Sequence, residues 1–378
     1  MNQQVEHSNC LGSYIFIKLK KINPVINDAN TLPGDFYCSS DYFLKTKNDL
    51  FPNTWQLIGS PDVLNISSSA YPFTFLEGFV DEPLVFVNNK NGELNCFSNV
   101  CTHRGNILIQ FEGPIQKKLT CGYHGRMFSN AGKFISMPES NGMNNFPCEE
   151  DNLTKVPFNK WKQFLFSSLS PEINFNDFIG QMDDKVGWMP IENFLYDPTL
   201  SRDYLVKANW ALYCDNYLEG FHIPFIHKDL AQSLDYSMYN TEIATYSNLQ
   251  IGYGRGAEFC FDLPKDHSDY GSNIAAYYFW LFPNMMFNFY PWGLSTNLIK
   301  PLSNELTKVE FRSYVWDKSK LEIGAGALLD KVEREDEAVV ESVQKGVKSR
   351  FYKHGRFSPR MEKGVHHFHL LLSKFINK

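Results

Sequence analysis

The chain has 378 residues, more than a single core usually holds, so two domains are expected. Its formal charge of −6 comes without any basic tract, which argues against nucleic acid as a partner because phosphate binding draws on clustered Lys and Arg. Eight cysteines are too few for a disulfide scaffold at this length and point to a reducing compartment.

The first residues, Met1 to His7, lack the basic start and apolar core of a signal peptide. The most hydrophobic stretch, Ala275 to Trp292, is broken by Pro283, Asn284, Asn288 and Pro291, which a membrane span tolerates badly. A soluble, cytoplasmic protein is expected, with no membrane partner.

Extended segments come first. Pro83 to Phe97 reads as two strands joined by an Asn/Gly turn, and Phe128 to Phe134 as a second hairpin. Val156 to Leu169 reads as one closing strand, with a break at Ser170-Pro171. Between the hairpins stand Cys101-Thr102-His103 and Cys121-Gly122-Tyr123-His124, with 17 residues separating the pairs. Two thiolates and two imidazoles on paired loops suit a Rieske [2Fe-2S] centre, with sulfurs on one iron and nitrogens on the other. Zinc sites pair cysteine with cysteine and histidine with histidine, a pattern this quartet does not follow. Gly105 and Gly125 follow the two halves and let the backbone fold closely over a cluster.

The second half carries Cys214 to His227. On a helix Glu219 and His222 would share a face, and Pro224 would bend or end that helix before His227. Two imidazoles can then converge on one point, a preference of iron(II) in a two-histidine, one-carboxylate triad, the alternative being a chance pair of core or surface histidines. Glu219 reads as a partner of a ligating imidazole, so the third ligand should come from elsewhere. In the segment Leu328 to Lys348, at about 100° per residue, Val332, Asp336, Val339, Val343 and Val347 form one stripe. Glu333 and Glu337 turn away to solvent, and Glu335 sits at the edge. A carboxylate inside an apolar stripe is costly unless paired or bound to metal. Asp336 is therefore a candidate ligand, the alternative being an ion pair with a buried Arg or Lys.

Two further segments have plain readings. The run Tyr277 to Trp292 fits two adjacent strands whose alternate residues are core, although its rings could also bind a trimethylammonium or stack on an arene. His366, His367 and His369 fall on a terminal amphipathic helix, where surface or interface positions are expected and no metal.

Taken in order, these segments resemble the catalytic α subunit of Rieske non-haem iron oxygenases over nearly the whole chain. Pro33-Gly34-Asp35-Phe36-Tyr37 and Leu50 to Gln56 resemble the N-terminal segment of that family, the Cys/His loops its cluster site, Asn209 to His227 its iron segment and Glu335-Asp336 its last ligand. The resemblance implies an α+β fold in which an all-β Rieske domain (51–170) precedes a helix-grip, START-like domain (171–378), an antiparallel sheet around a long helix. Residues 1–50 would be an extension with a helical segment packing on the catalytic domain. It further implies that Cys101, His103, Cys121 and His124 hold the [2Fe-2S] cluster and that His222, His227 and Asp336 hold a mononuclear Fe(II). Glu219 would link His222 to His124 of a neighbouring subunit in a homotrimer. Electrons from NAD(P)H would arrive through a separate reductase or ferredoxin, since the chain shows neither a dinucleotide-binding glycine motif nor an all-cysteine cluster motif.

The implied reaction is hydroxylation of a small organic substrate with O2. Two departures stand out: Arg126 follows Gly125 where most members have Trp, and Glu219 replaces the Asp of ring-dihydroxylating members. The context Asn216-Tyr217-Leu218-Glu219-Gly220 resembles choline and carnitine monooxygenases, which favours a quaternary ammonium substrate over dihydroxylation of an arene. An electron carrier or ligand-binding protein without oxygenase chemistry is the remaining alternative.

Overall fold

A computed structural model describes residues 18–230, 234–256, 260–321, 323–327 and 329–378, so the start of the expected N-terminal extension lies outside the described residues. The first helix, α1 (Ser40–Lys45), is capped by the Ser39 hydroxyl, which accepts the Asp41 N–H at 3.2 Å. Before it, Phe36 and Tyr37 are buried. The Leu32 N–H donates to His369 Nδ1 at 3.1 Å, tying this stretch to the last helix of the chain.

Three small antiparallel sheets follow. β1 (Gln56–Gly59) stands apart from β2 (Ser69–Phe75), β3 (Glu82–Asn88), β4 (Leu94–Ser98) and β5 (Gly113–Pro114), which pair in the order β4-β3-β2-β5. β6 (Lys118–Thr120), β7 (Met127–Ser129) and β8 (Phe134–Ser136) form the second sheet. The third comprises β9 (Phe158–Trp161), β10 (Phe164–Ser167) and β1, in the order β1-β10-β9. The β3–β4 turn closes with the Asn89 N–H on the Glu93 carbonyl (2.8 Å) and Gly92 at φ +79°, as an Asn/Gly turn requires. The expected single strand over Val156 to Leu169 is instead the β9–β10 hairpin. Lys162 takes the turn at φ +53°, a left-handed position with no glycine to announce it. Ala70, Val85, Val87, Phe97, Leu119 and Phe128 make a separate small core beneath the Cys/His loops.

The larger part begins with α2 (Phe175–Val186), β11 (Leu195–Val206), α3 (Trp210–Tyr217) and the one-turn α4 (Ile223–Ile226). It continues with β12 (Asn240–Ile243), β13 (Ser247–Tyr253), β14 (Ile274–Leu281), β15 (Met285–Tyr290), β16 (Gly293–Ser303) and β17 (Leu306–Val315), then α5 (Leu329–Val347) and α6 (Lys363–Ile376). All seven strands are antiparallel, in the order β11-β17-β16-β15-β14-β13-β12. This is the α+β helix-grip arrangement expected from the sequence.

Alternation divides the aromatic run between two faces. Phe287 and Phe289 meet Phe164 and Trp161 of the β9–β10 hairpin, with ring centroids 6.1 and 6.4 Å apart. On the other face Trp280 packs on Phe368 of α6 at 5.2 Å, and Tyr278 meets Tyr290 at 5.9 Å. Covered on both sides, β15 is buried at every position, which explains why Asn288 is its one strongly polar residue.

Two expectations for the helices need correction. α5 buries Glu333, Val340, Gln344 and Val347, whereas Val343 is 42 % exposed. The inward face is rotated from the valine stripe because it meets polar partners: Gln344 Oε1 accepts the Asn209 N–H at the start of α3 (2.8 Å), and Glu333 reaches Tyr213 and Asn297. On α6, His366 and His369 are buried instead of lying at a surface. His369 Nε2 lies 2.8 Å from Asp215 Oδ1, and the Tyr37 hydroxyl donates to Asp215 Oδ2 at 2.7 Å, so the helix is pinned to α3 and to the N-terminal stretch. No helix among the described residues is long and apolar enough to cross a membrane.

Candidate active site

Asn209 caps α3 through Oδ1, which accepts the Ala211 N–H at 3.0 Å. The helix stops at Tyr217, so Glu219 and His222 do not share a helical face as the sequence led one to expect. A break follows, in which Gly220 lies so close to the Tyr239 ring that a Cβ would collide with it. The chain then makes the single turn α4, with His222 as N-cap, Pro224 in the first turn and His227 as C-cap. Pro224 starts this turn and does not end a longer helix, because a first-turn residue needs no N–H.

The two imidazoles thus sit at opposite ends of one turn and face α5. His222 Nε2 and His227 Nε2 are 3.2 Å apart, and Asp336 Oδ1 lies 3.5 Å from the first and 3.0 Å from the second. His222, His227 and Asp336 offer ligand atoms within 4.8 Å of one another. Their far sides are held by carboxylates, Glu219 Oε1 on His222 Nδ1 and Glu335 Oε2 on His227 Nδ1, both at 2.8 Å. A carboxylate on Nδ1 holds the proton there and leaves the Nε2 lone pair facing the common point, the usual arrangement of metal-binding histidines. Burial disfavours a charged His227, yet Asp336 and Glu335 hold its pKa above the ordinary value. The positive charge favoured there is one a metal ion can supply, and two imidazoles with one carboxylate suit iron(II).

Glu219 has a second duty: its Oε2 accepts the backbone N–H groups of Phe221 and His222. Asn216 Nδ2 donates to Asp336 Oδ1 at 2.7 Å. Sequence reasoning left Glu335 at a helix edge, turned Glu333 to solvent and gave Asn216 no part. The one available signal was that Glu335 adjoins Asp336.

The Cys/His loops are twins. The Cys101 N–H bonds to the Asn106 carbonyl and the Cys121 N–H to the Arg126 carbonyl (both 2.8 Å), while the Gly105 and Gly125 N–H groups return to the two cysteine carbonyls (both 3.0 Å). Gly105 and Gly125 turn the chain at φ +73° and +70°. Cys101 and Cys121 are buried, whereas His103 is exposed and His124 half-buried, with ring centroids 4.8 Å apart. Burial raises the Cys121 thiol, but hydrogen bonds from the Tyr123 and His124 N–H groups and from Cys101 outweigh it and leave the pKa lowered. Buried sulfurs met by N–H groups, with imidazoles on the solvent side, are the donor set a Rieske cluster needs. Arg126, at the unusual position, is buried over the rings of Phe128, Phe134 and Phe146 and donates to Asp151 Oδ1 at 2.6 Å.

A cavity of about 80 Å³ opens beside the His222/His227/Asp336 group. Tyr217, Tyr239, Tyr278 and Tyr290 line it, together with Asn288 and Glu333. The Glu333 carboxyl is pushed up to about 7, chiefly by burial.

Residues 188–377, half of the chain, match the model of the ring hydroxylating alpha subunit (catalytic domain), and residues 65–147 match the Rieske [2Fe-2S] domain. The chain belongs to the Rieske ring-hydroxylating oxygenase α-subunit family. The oxygenase is 32% identical to the chloroplastic choline monooxygenase of Arabidopsis thaliana, over 91% of its own length and 82% of that relative. It is 28% identical to the carnitine monooxygenase oxygenase subunit of Escherichia coli (strain K12), over 92% and 94%. Its fold matches the quaternary ammonium Rieske monooxygenase CntA with a TM-score of 0.74 at 22% identity, covering 94% of this chain and 99% of that one. The naphthalene 1,2-dioxygenase of Rhodococcus sp. shares the fold with a TM-score of 0.68 at 15% identity, over 92% and 94%. The chain is thus a Rieske non-haem iron oxygenase, an enzyme with a [2Fe-2S] cluster and a mononuclear iron.

Proposed function

We propose that this oxygenase hydroxylates a small quaternary ammonium compound. The observation that carries this reading is the cavity beside His222, His227 and Asp336, walled by four tyrosines whose faces suit a trimethylammonium group. The identities to choline and carnitine monooxygenases point the same way. Dihydroxylation of an arene is the second reading, and the carboxylates and hydroxyls of the cavity weigh against it.

Cys101, His103, Cys121 and His124 would hold the cluster, and His222, His227 and Asp336 the iron. When bound, the cluster stores an electron and the iron activates O2. The residues around them set geometry: Glu219 and Glu335 orient the imidazoles, the tyrosines orient the substrate, and Ile223, Leu230 and Phe311 keep water from the cavity. The division into 1–50, 51–170 and 171–378 belongs to the same reading, supported by the separate core under the cluster loops.

Electrons would come from a separate NAD(P)H reductase or ferredoxin and cross between subunits of a homotrimer, Glu219 linking His222 to His124 of the partner subunit. Exposed Tyr123 beside His124, and exposed Phe221 and Phe225 beside Glu219, offer apolar surface that two copies would cover. Light scattering should then give three times the 43.7 kDa of one chain. The described cysteines are all free, consistent with a cytoplasmic location that cell fractionation would check.

Metal analysis of variants tests the assignments. Asp336→Ala should lose the mononuclear iron and keep its acid-labile sulfide, whereas Cys101→Ala should do the reverse. Retention of full iron by Asp336→Ala would remove it from the ligand set.

A further inference from the structure

Glu333 stands on the wall of the cavity, and the ligand set does not use it. It lies on α5 with 9 % of its surface exposed. Its Oε1 accepts Asn297 Nδ2–H at 2.8 Å, and its Oε2 accepts the Tyr213 hydroxyl. Both donors are neutral. Among the described residues no Lys or Arg lines the cavity, and residues 1–17, 231–233, 257–259, 322 and 328 contain neither. A carboxylate taken from water without a counter-charge is costly, so it either takes up a proton or is completed by a cation.

The surroundings suit a cation that brings no N–H. Tyr217 and Tyr239 are held by their hydroxyls, the first donating to Asn288 Oδ1 (2.6 Å) and the second to Gln250 Oε1 (3.2 Å), so both rings are fixed. Tyr278 and Tyr290 meet edge to face at 79°. The Tyr278 hydroxyl is buried beside that of Tyr290 without a hydrogen bond of normal geometry. Ring faces and a carboxylate both attract a quaternary ammonium without needing a directed donor from it.

We propose that Glu333 is the counter-ion of the substrate's ammonium group, and that the site therefore selects a compound of net positive charge over a zwitterion. The inference rests on the quaternary ammonium reading above and sharpens it. A carboxylate on the substrate would meet Glu219, Glu333 and Asp336 with no Lys or Arg among the described lining residues to receive it, the bound iron excepted. Glu333 is on this account a specificity-determining residue.

Calorimetry on the oxidised, metal-loaded oxygenase without its reductase reads binding with no turnover. The probes are choline, its uncharged tert-butyl isostere and the zwitterion carnitine. The wild-type chain should bind choline at least roughly tenfold more tightly than either of the others, a difference of about 1.4 kcal/mol. Glu333→Gln should weaken choline roughly tenfold and leave the isostere unchanged, with iron content and near-ultraviolet dichroism confirming an intact site. Glu333→Asp, which keeps the charge, should preserve the preference for choline over the isostere. Equal choline affinity in Glu333→Gln and wild type would overturn the proposal. So would parity of choline and isostere in the wild-type chain, or a preference for carnitine, neither of which depends on a variant folding. If the iron-loaded wild-type chain binds the isostere or an arene but neither ammonium compound, the quaternary ammonium reading falls, and this inference with it.

Discussion

Glu219 and Glu335 do parallel work on the two imidazoles, but Glu219 also caps the turn that carries them, with its second oxygen on the Phe221 and His222 N–H groups. Glutamine at 219 can still accept from His222 Nδ1, so the iron site should assemble. A neutral amide is a poor link to a histidine of a neighbouring subunit. Glu219→Gln is therefore expected to keep its iron and sulfide while losing turnover by at least the roughly 10–100-fold that removal of such a partner costs. Full activity with full metal would end the bridging role. The ligand types were legible in the sequence because Cys-x-His, Cys-x-x-His and the Glu219/His222/His227 spacing are rare together. Of the supporting carboxylates only Glu219 was. With the valines marking the inner face of α5, Glu333 points outward and Glu335 sits at the edge, whereas Tyr213, Asn297 and His227 draw these acids inward.

Among the elements, the hairpins with Asn/Gly turns could be read directly, while the β9–β10 turn at Lys162 left no trace in composition. The helix break after Tyr217 was equally hidden, since nothing in Leu218-Glu219-Gly220 forbids a helix strongly enough. The collision a Cβ on Gly220 would make with Tyr239 is visible only in three dimensions. α6 carries a consequence for pH. Burial drives the His367 imidazole down to about 4, with Nδ1 2.8 Å from Asn248 Oδ1. Between the ordinary value of 6.5 and that value, the unfolded chain binds a proton the folded chain refuses. Stability is thus complete above 6.5 and declines as pH falls through this window, by up to roughly 3 kcal/mol. Denaturant titrations across this range should show His367→Gln with a shallower loss than wild type; identical slopes would contradict the assignment.

At the scale of the molecule, the Cys/His quartet sits over its own small core. The iron site is assembled from α4 and from α5, more than 100 residues further along the chain, beside a cavity that residues of the seven-stranded sheet help to line. Order and spacing of motifs made this architecture readable, because a family resemblance spans both halves. The cavity was less so: Tyr278 and Tyr290 belong to a run in which odd positions build the core and even positions face the site or α6, and only strand register separates them. The central claim is that electrons stored at the quartet are spent on oxygenating an ammonium compound bound beside His222, His227 and Asp336. Its most direct test is a single turnover of the reduced, iron-loaded oxygenase with isotopically heavy O2 and choline. The expected result is oxidation of the cluster that requires substrate, with the heavy isotope in the product. Cluster oxidation at the same rate without substrate, and no isotope in any product, would contradict it.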